Sequence, residues 1–161
     1  MRQLKVLFLP HPLDEVNVAW GRDLLATIEG RHDLHVFDRN LPAEPQFKDV
    51  EAIVDVGGNI SAELIDVAKS AGVKYLQAQT NGLDHVEVKK IRESGMLLAH
   101  CPGELSSAAL AEGAMMFILM LAHRHGDAQR NFAAGKVFFP MGMELVDRRL
   151  GIVGFGASGQ Q

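Results

Sequence analysis

At 161 residues, with 47% apolar and 22% charged side chains, the chain has room for one ordinary domain, or for one domain and part of another, and it is too apolar for a disordered one. A net charge of −4 and an isoelectric point near 5.9 exclude a surface built for nucleic acid, which needs clustered Lys and Arg. Its one cysteine, Cys101, rules out an internal disulfide and fits a reducing compartment.

The first apolar run stops at Pro10-His11-Pro12 and is too short for a secretory signal. The longest, residues 114–122, is far below the roughly 20 residues that span a bilayer. A soluble, cytoplasmic protein without a membrane partner is the expectation.

Residues 5–9 are predicted as a first strand. A helix over residues 14–29 comes next, capped by Asp14, with Val16, Ala19, Trp20, Leu24, Ala26 and Ile28 as its apolar stripe and Gly30 as its stop. Further strands are predicted at residues 34–37, 52–56, 73–77 and 96–99. A loop with Pro42 and Pro45 separates the second strand from the third, which closes at Gly57-Gly58-Asn59. One helix opens at Ser61 and stops at Gly72; another covers residues 86–94 and stops at Gly95. Strands alternating with helices through short loops imply a parallel sheet covered on both faces.

After residue 101 the pattern changes. Ser106 or Ser107 can cap a long helix that opens at Ala108 and closes at His123. Between Ala108 and Ala122 only Glu112 and Gly113 are not apolar. A helix with no polar face is normally buried on every side, so covering by further sequence or by a second chain is expected. A second helix is predicted over residues 127–134, and residues 150–153 read as a buried strand. Gly154-Phe155-Gly156-Ala157-Ser158-Gly159 then matches G-x-G-x-x-G. In that motif the glycines allow a tight turn and a close approach of a dinucleotide pyrophosphate. The domains are therefore drawn as 1–101 and 102–161: a flavodoxin-like α/β unit, then the beginning of a Rossmann dinucleotide-binding unit.

Three stretches are candidates for chemistry. Residues 79–85, Q-T-N-G-L-D-H, come after a strand on the side where open parallel sheets bind ligands, and consecutive amides there suit a carboxylate. The competing reading is an ordinary turn, with Asn81-Gly82 supplying positive φ and Asp84 capping the next helix. At His100-Cys101-Pro102-Gly103, Cys101 reads as a small apolar filler in a crossover loop. A Cys–His nucleophile is disfavoured there, because adjacent strand residues face opposite ways. His123 and His125, two apart on a helix, do not face each other, so no metal site is expected.

Taken in order, these stretches resemble the NAD-dependent D-2-hydroxyacid dehydrogenases. Residues 73–85 are similar to that family's strand and substrate loop, A-G-x-G-x-D-[NH]. Residues 95–103 are similar to G-[IV]-x-V-x-N-T-P-G, Ala111-Glu112 to the A-E-H of its long helix, and residues 150–159 to L-G-I-x-G-x-G-x-I-G. The resemblance implies that Thr80, Asn81 and Gly82 hold the carboxylate of a small 2-hydroxy or 2-keto acid. It implies that Gly154 through Gly159 meet the pyrophosphate of NAD or NADP, and that the long helix joins two copies in a homodimer. The family's catalytic Arg, acidic residue and acid/base His fall outside residues 1–161, so the chain is expected to be an inactive N-terminal part of such an oxidoreductase. Thr80-Asn81 in place of Gly-Val leaves the substrate open. Gly113 stands where the family usually has His, and His100-Cys101 where it often has Asn-Thr. The alternative from another class is a non-catalytic, flavodoxin-like binding or dimerisation module.

Overall fold

A computed structural model describes residues 2–11, 21–57 and 60–161. The expected cap Asp14, the stripe residues Val16, Ala19 and Trp20, and Pro12, Gly58 and Asn59 lie outside the described residues. The chain separates into two compact units, Met1–Pro102 and Gly103–Gln161.

In the first unit, β1 (Lys5–Leu9), β2 (Asp33–Val36), β3 (Ala52–Asp55), β4 (Tyr75–Ala78) and β5 (Leu97–His100) form one sheet in the order β2-β1-β3-β4-β5. Every neighbouring pair is parallel. This is the flavodoxin-like order, in which β1 and β3 flank the point where the winding reverses. Helices α1 (Arg22–Ile28), α2 (Ala43–Gln46), α3 (Ala62–Ser70) and α4 (Val88–Ser94) alternate with the strands. The α/β arrangement expected from the periodicity is therefore present. The short helix α2, built around Pro45, replaces part of the predicted loop; proline is tolerated within the first turn of a helix, where its missing N–H costs no bond.

Burial explains the strand sequences. β1 is covered on both faces, so Val6, Leu7, Phe8 and Leu9 form one unbroken apolar run. Register sets Leu7 beside Ile53 and Ile53 beside Leu76. Ile65 of α3 and Ile91 of α4 pack into the same core, each worth roughly 1.5–3 kcal/mol of burial. Phe37 and Phe47 pack edge to face within it, with centroids 5.8 Å apart. The edge strands β2 and β5 are more exposed. Ser61 accepts a hydrogen bond from the Leu64 amide at 3.2 Å, the expected cap of α3. Asp55, fully buried at the end of β3, accepts from the Ile60 amide at 2.9 Å.

The second unit holds a 3-10 turn (Gly103–Leu105), α5 (Ser107–Ala122) and α6 (His125–Ala133), and then irregular chain. Three expectations fail in this unit. Neither serine caps α5 by its side chain; Ser106 and Ser107 instead donate back to the carbonyls of Gly103 and Glu104. His123 and His125 do not share a helix, because Arg124 adopts left-handed backbone (φ 50°) and turns the chain between α5 and α6. Residues 150–153 join no strand ladder among the described residues, and Val153 is fully exposed. A strand needs a neighbour for its backbone groups, and no described chain of this unit pairs with these residues.

α5 is also not enclosed. Leu110, Met115, Met116, Phe117 and Leu121 are exposed along it, Leu121 to 79%. An open hollow of about 1160 Å³ lies between α5 and residues 150–161. The segment after α6 does reach one end of α5, where the Met143 amide donates to the Ala122 carbonyl at 2.8 Å. Gly142 is required there, since a Cβ would lie 2.7 Å from the His123 Cα.

Candidate functional site

The carboxyl ends of β3, β4 and β5 lie side by side, and the loop over residues 79–85 leaves the sheet from the middle strand of the three. Parallel pairing continues past the named strands. The Gln79 amide donates to the Asp55 carbonyl at 2.9 Å, and the Cys101 amide donates to the Thr80 carbonyl at 3.0 Å. Three side-chain bonds add to this frame. His100 Nδ1 donates to the Asn81 carbonyl at 3.1 Å, Cys101 Sγ donates to Gln79 Oε1 at 2.8 Å, and His85 Nε2 donates to the Gly57 carbonyl at 2.7 Å.

Neither Asn81 nor Gly82 has positive φ, and α4 has no side-chain cap, so the ordinary-turn reading of this loop loses both its supports. Asn81 and Gly82 are exposed, while Thr80 is half-buried. The amides of Asn81, Gly82 and Leu83 donate to no acceptor among the described residues. Free donors in a row are what a carboxylate needs. The Thr80 hydroxyl differs: Oγ1 is buried without a partner among the described residues, out of reach of a ligand in this conformation.

Sequence reasoning missed the part played by His100 and Cys101. Cys101 is no apolar filler, because its thiol is engaged by Gln79. The only signal in the sequence was their place at the end of a strand predicted to neighbour the loop.

The glycine-rich segment meets its expected shape in part. Gly154 adopts left-handed backbone (φ 91°), which side chains disfavour, and nothing lies within 4 Å of a Cβ placed on Gly156. A Cβ on Gly159 would meet the Gly154 carbonyl at 2.3 Å, so the segment folds back on itself there. The Gln160 amide reaches the Gly156 carbonyl at 3.2 Å, closing one helical turn around Ala157, Ser158 and Gly159. Gly154 and Gly156 thus lie in open space, and the helix expected behind them is represented by that single turn. Among the described residues no three His, Cys, Asp or Glu gather as metal ligands, and no helix is long and apolar enough to cross a membrane.

A five-stranded parallel sheet flanked by helices, with three amides free among the described residues in the loop at its carboxyl edge, defines an α/β protein. The pattern of the D-isomer specific 2-hydroxyacid dehydrogenase catalytic domain matches residues 14–138. The chain belongs to the D-isomer specific 2-hydroxyacid dehydrogenase family. It is 26% identical over 152 residues to a hydroxypyruvate reductase of Thermotoga maritima, a match covering 91% of this chain and 49% of that one. Its fold is similar to that of a D-lactate dehydrogenase from Aquifex aeolicus complexed with NAD and lactic acid (TM-score 0.73, 22% identity, 96% of this chain and 46% of that one). It is likewise similar to an NADPH-dependent glyoxylate/hydroxypyruvate reductase from Sinorhizobium meliloti in complex with NADP and malonate (TM-score 0.75, 19% identity, 99% and 48%). The chain spans about half the length of these relatives.

Proposed function

We propose that this chain is the N-terminal, substrate-binding part of a cytoplasmic NAD- or NADP-dependent dehydrogenase of small 2-hydroxy acids, with residues 1–101 as the substrate unit and 102–161 as the start of the coenzyme unit. The observation that carries the reading is the row of amides at Asn81, Gly82 and Leu83 with no acceptor among the described residues, at the carboxyl edge of a parallel sheet. Thr80, Asn81 and Gly82 form the substrate loop, whose backbone donors take the carboxylate and orient the 2-carbon. Gly154, Phe155, Gly156, Ala157, Ser158 and Gly159 hold the coenzyme pyrophosphate along their backbone. When bound, the nicotinamide ring supplies or accepts the hydride. No residue of this chain is assigned the acid/base role on the hydroxyl, which such a reaction needs, so the chain by itself is proposed to be inactive.

The test is the intact mass of the purified protein together with NADH binding by fluorescence and an NADH-linked assay. A mass near 17.6 kDa without turnover agrees with the proposal. Turnover of a 2-keto acid by the pure 161-residue chain would overturn the assignment of the acid/base group to residues outside it.

A second reading is favoured by the exposed apolar residues of α5. The chain acts as a dimerisation module, two copies joining through this helix; the dehydrogenase reading also includes such a homodimer. Sedimentation separates the possibilities, since a monomer at micromolar concentration leaves α5 without the proposed role.

A further inference from the structure

The loop proposed to bind a carboxylate is gripped by two consecutive residues at the end of the next strand. Cys101 takes the Thr80 carbonyl through its amide, His100 takes the Asn81 carbonyl through Nδ1, and the Cys101 thiol holds the Gln79 side chain. The strand register brings them there, because Ala78 lies beside His100. The residues just past Ala78 are therefore neighbours of His100 and Cys101.

Peptide planarity turns this grip into an orientation. In a trans peptide the carbonyl of one residue and the N–H of the next lie in one plane and point in opposite directions. Among the described residues the one cis bond is Phe139–Pro140, so the Thr80–Asn81 and Asn81–Gly82 peptides are trans. Turning the Thr80 carbonyl toward Cys101 turns the Asn81 N–H away from β5. Turning the Asn81 carbonyl toward His100 does the same for the Gly82 N–H. Two donors in succession are thus aimed away from β5, with no acceptor among the described residues.

We propose that His100 and Cys101 are positioning residues, which fix the two peptide planes that present the Asn81 and Gly82 amides to a substrate carboxylate. The grip itself stands on the hydrogen bonds; its purpose rests on the carboxylate-binding reading above. Both act on the loop itself, His100 through the Asn81 carbonyl and Cys101 through the Thr80 carbonyl and the Gln79 side chain. The Cys101 amide is a backbone donor that no side-chain change removes, so His100 carries the part that substitution can test.

The test uses the 161-residue chain labelled with 15N. Relaxation of the Asn81 and Gly82 amides is measured in the wild type, His100→Leu and His100→Asn, with titration by glycolate, the simplest 2-hydroxy carboxylate, in each. His100→Leu removes the donor and is expected to lower the order parameters of these two amides from about 0.85 to below about 0.6, the range of flexible backbone, while β4 and β5 stay rigid. His100→Asn, whose amide nitrogen can stand in for Nδ1, is expected to restore them. Glycolate binding should weaken about fivefold in His100→Leu, the effect of one hydrogen bond of roughly 1 kcal/mol, and recover in His100→Asn.

Unchanged order parameters in His100→Leu would overturn the proposal. So would a loss of order spread evenly through β4 and β5, which marks a general structural role. A local loss of order with no glycolate response even in the wild type would support the grip and sink the carboxylate reading. Glycolate binding that is indifferent to His100 would do the reverse.

Discussion

Thr80 shows how one buried atom can weigh on the site. Its hydroxyl is buried without a hydrogen-bond partner among the described residues, and such a group costs about 1–3 kcal/mol of lost solvation. Thr80→Val keeps the branched shape and removes the oxygen. It is expected to leave stability unchanged or raise it by about 1 kcal/mol in urea unfolding; a clear loss would mean that the hydroxyl is satisfied in solution. Asp127 at the start of α6 is a different case. A hydrogen bond from the Arg124 guanidinium, helped by the charges of Arg124 and Arg130, holds its carboxyl below the ordinary carboxylate range. A carboxyl with a lowered folded-state pKa adds stability above its unfolded value and loses it as pH falls through the folded value. The ion pairs with Arg124 and Arg130 should therefore persist from neutral pH down through the usual carboxylate range and break only below it. Carboxyl 13C shifts of Asp127 across an acid titration would check this, and a midpoint at or above the usual range would contradict it.

Among the elements, α5 is the apolar helix that its own unit leaves uncovered, in line with the cover expected from further sequence or a second chain. Its residues call for cover on all sides, yet Phe117 is 59% exposed and Met115 and Met116 about half. If two copies meet along α5, Phe117→Glu puts an unpaired charge into that contact. The dissociation constant is then expected to rise more than about tenfold, since buried aromatic anchors carry most of the energy of an interface. Sedimentation velocity over a concentration series reads this directly; an equal sedimentation profile for wild type and variant would exclude the helix from any interface. β1 is the contrasting element, because its unbroken apolar run meets cover on both faces inside its own unit. The same kind of sequence is thus satisfied locally in the first unit and left open in the second.

For the whole molecule, the division at Pro102 has an energetic meaning. The first unit contains its own closed core, from Leu7 and Leu9 of β1 to Ile91 of α4. Residues 1–102 expressed alone should unfold cooperatively, with one transition seen alike by far-UV circular dichroism and by tyrosine or tryptophan fluorescence. Non-coincident transitions, or a molten state that binds a hydrophobic dye, would show that the core depends on chain beyond Pro102. The second unit buries little: Ser107 and Ala122 are the buried residues of α5, and α6 has none.

The alternating α/β order, the flavodoxin-like unit and the family were legible in the residues, because the signals behind them are local. Strand and helix periodicity, the cap at Ser61 and the glycines after α3 and α4 each act within a few residues. The motifs at residues 79–85 and 154–159 were visible for the same reason, since each depends on residue types at short spacing. Pairing between distant segments was not visible. Whether residues 150–153 form a strand depends on a neighbour for their backbone groups, and whether α5 is buried depends on what packs over it. The loop amides at Asn81 and Gly82 are aimed by His100 and Cys101, about twenty residues along the chain, through a register that only the folded sheet establishes. Residue order alone thus specifies the five strands of the sheet and the family. Which backbone donors stay free is settled by folding, because a donor is free or bound according to the partners that distant parts of the chain bring to it.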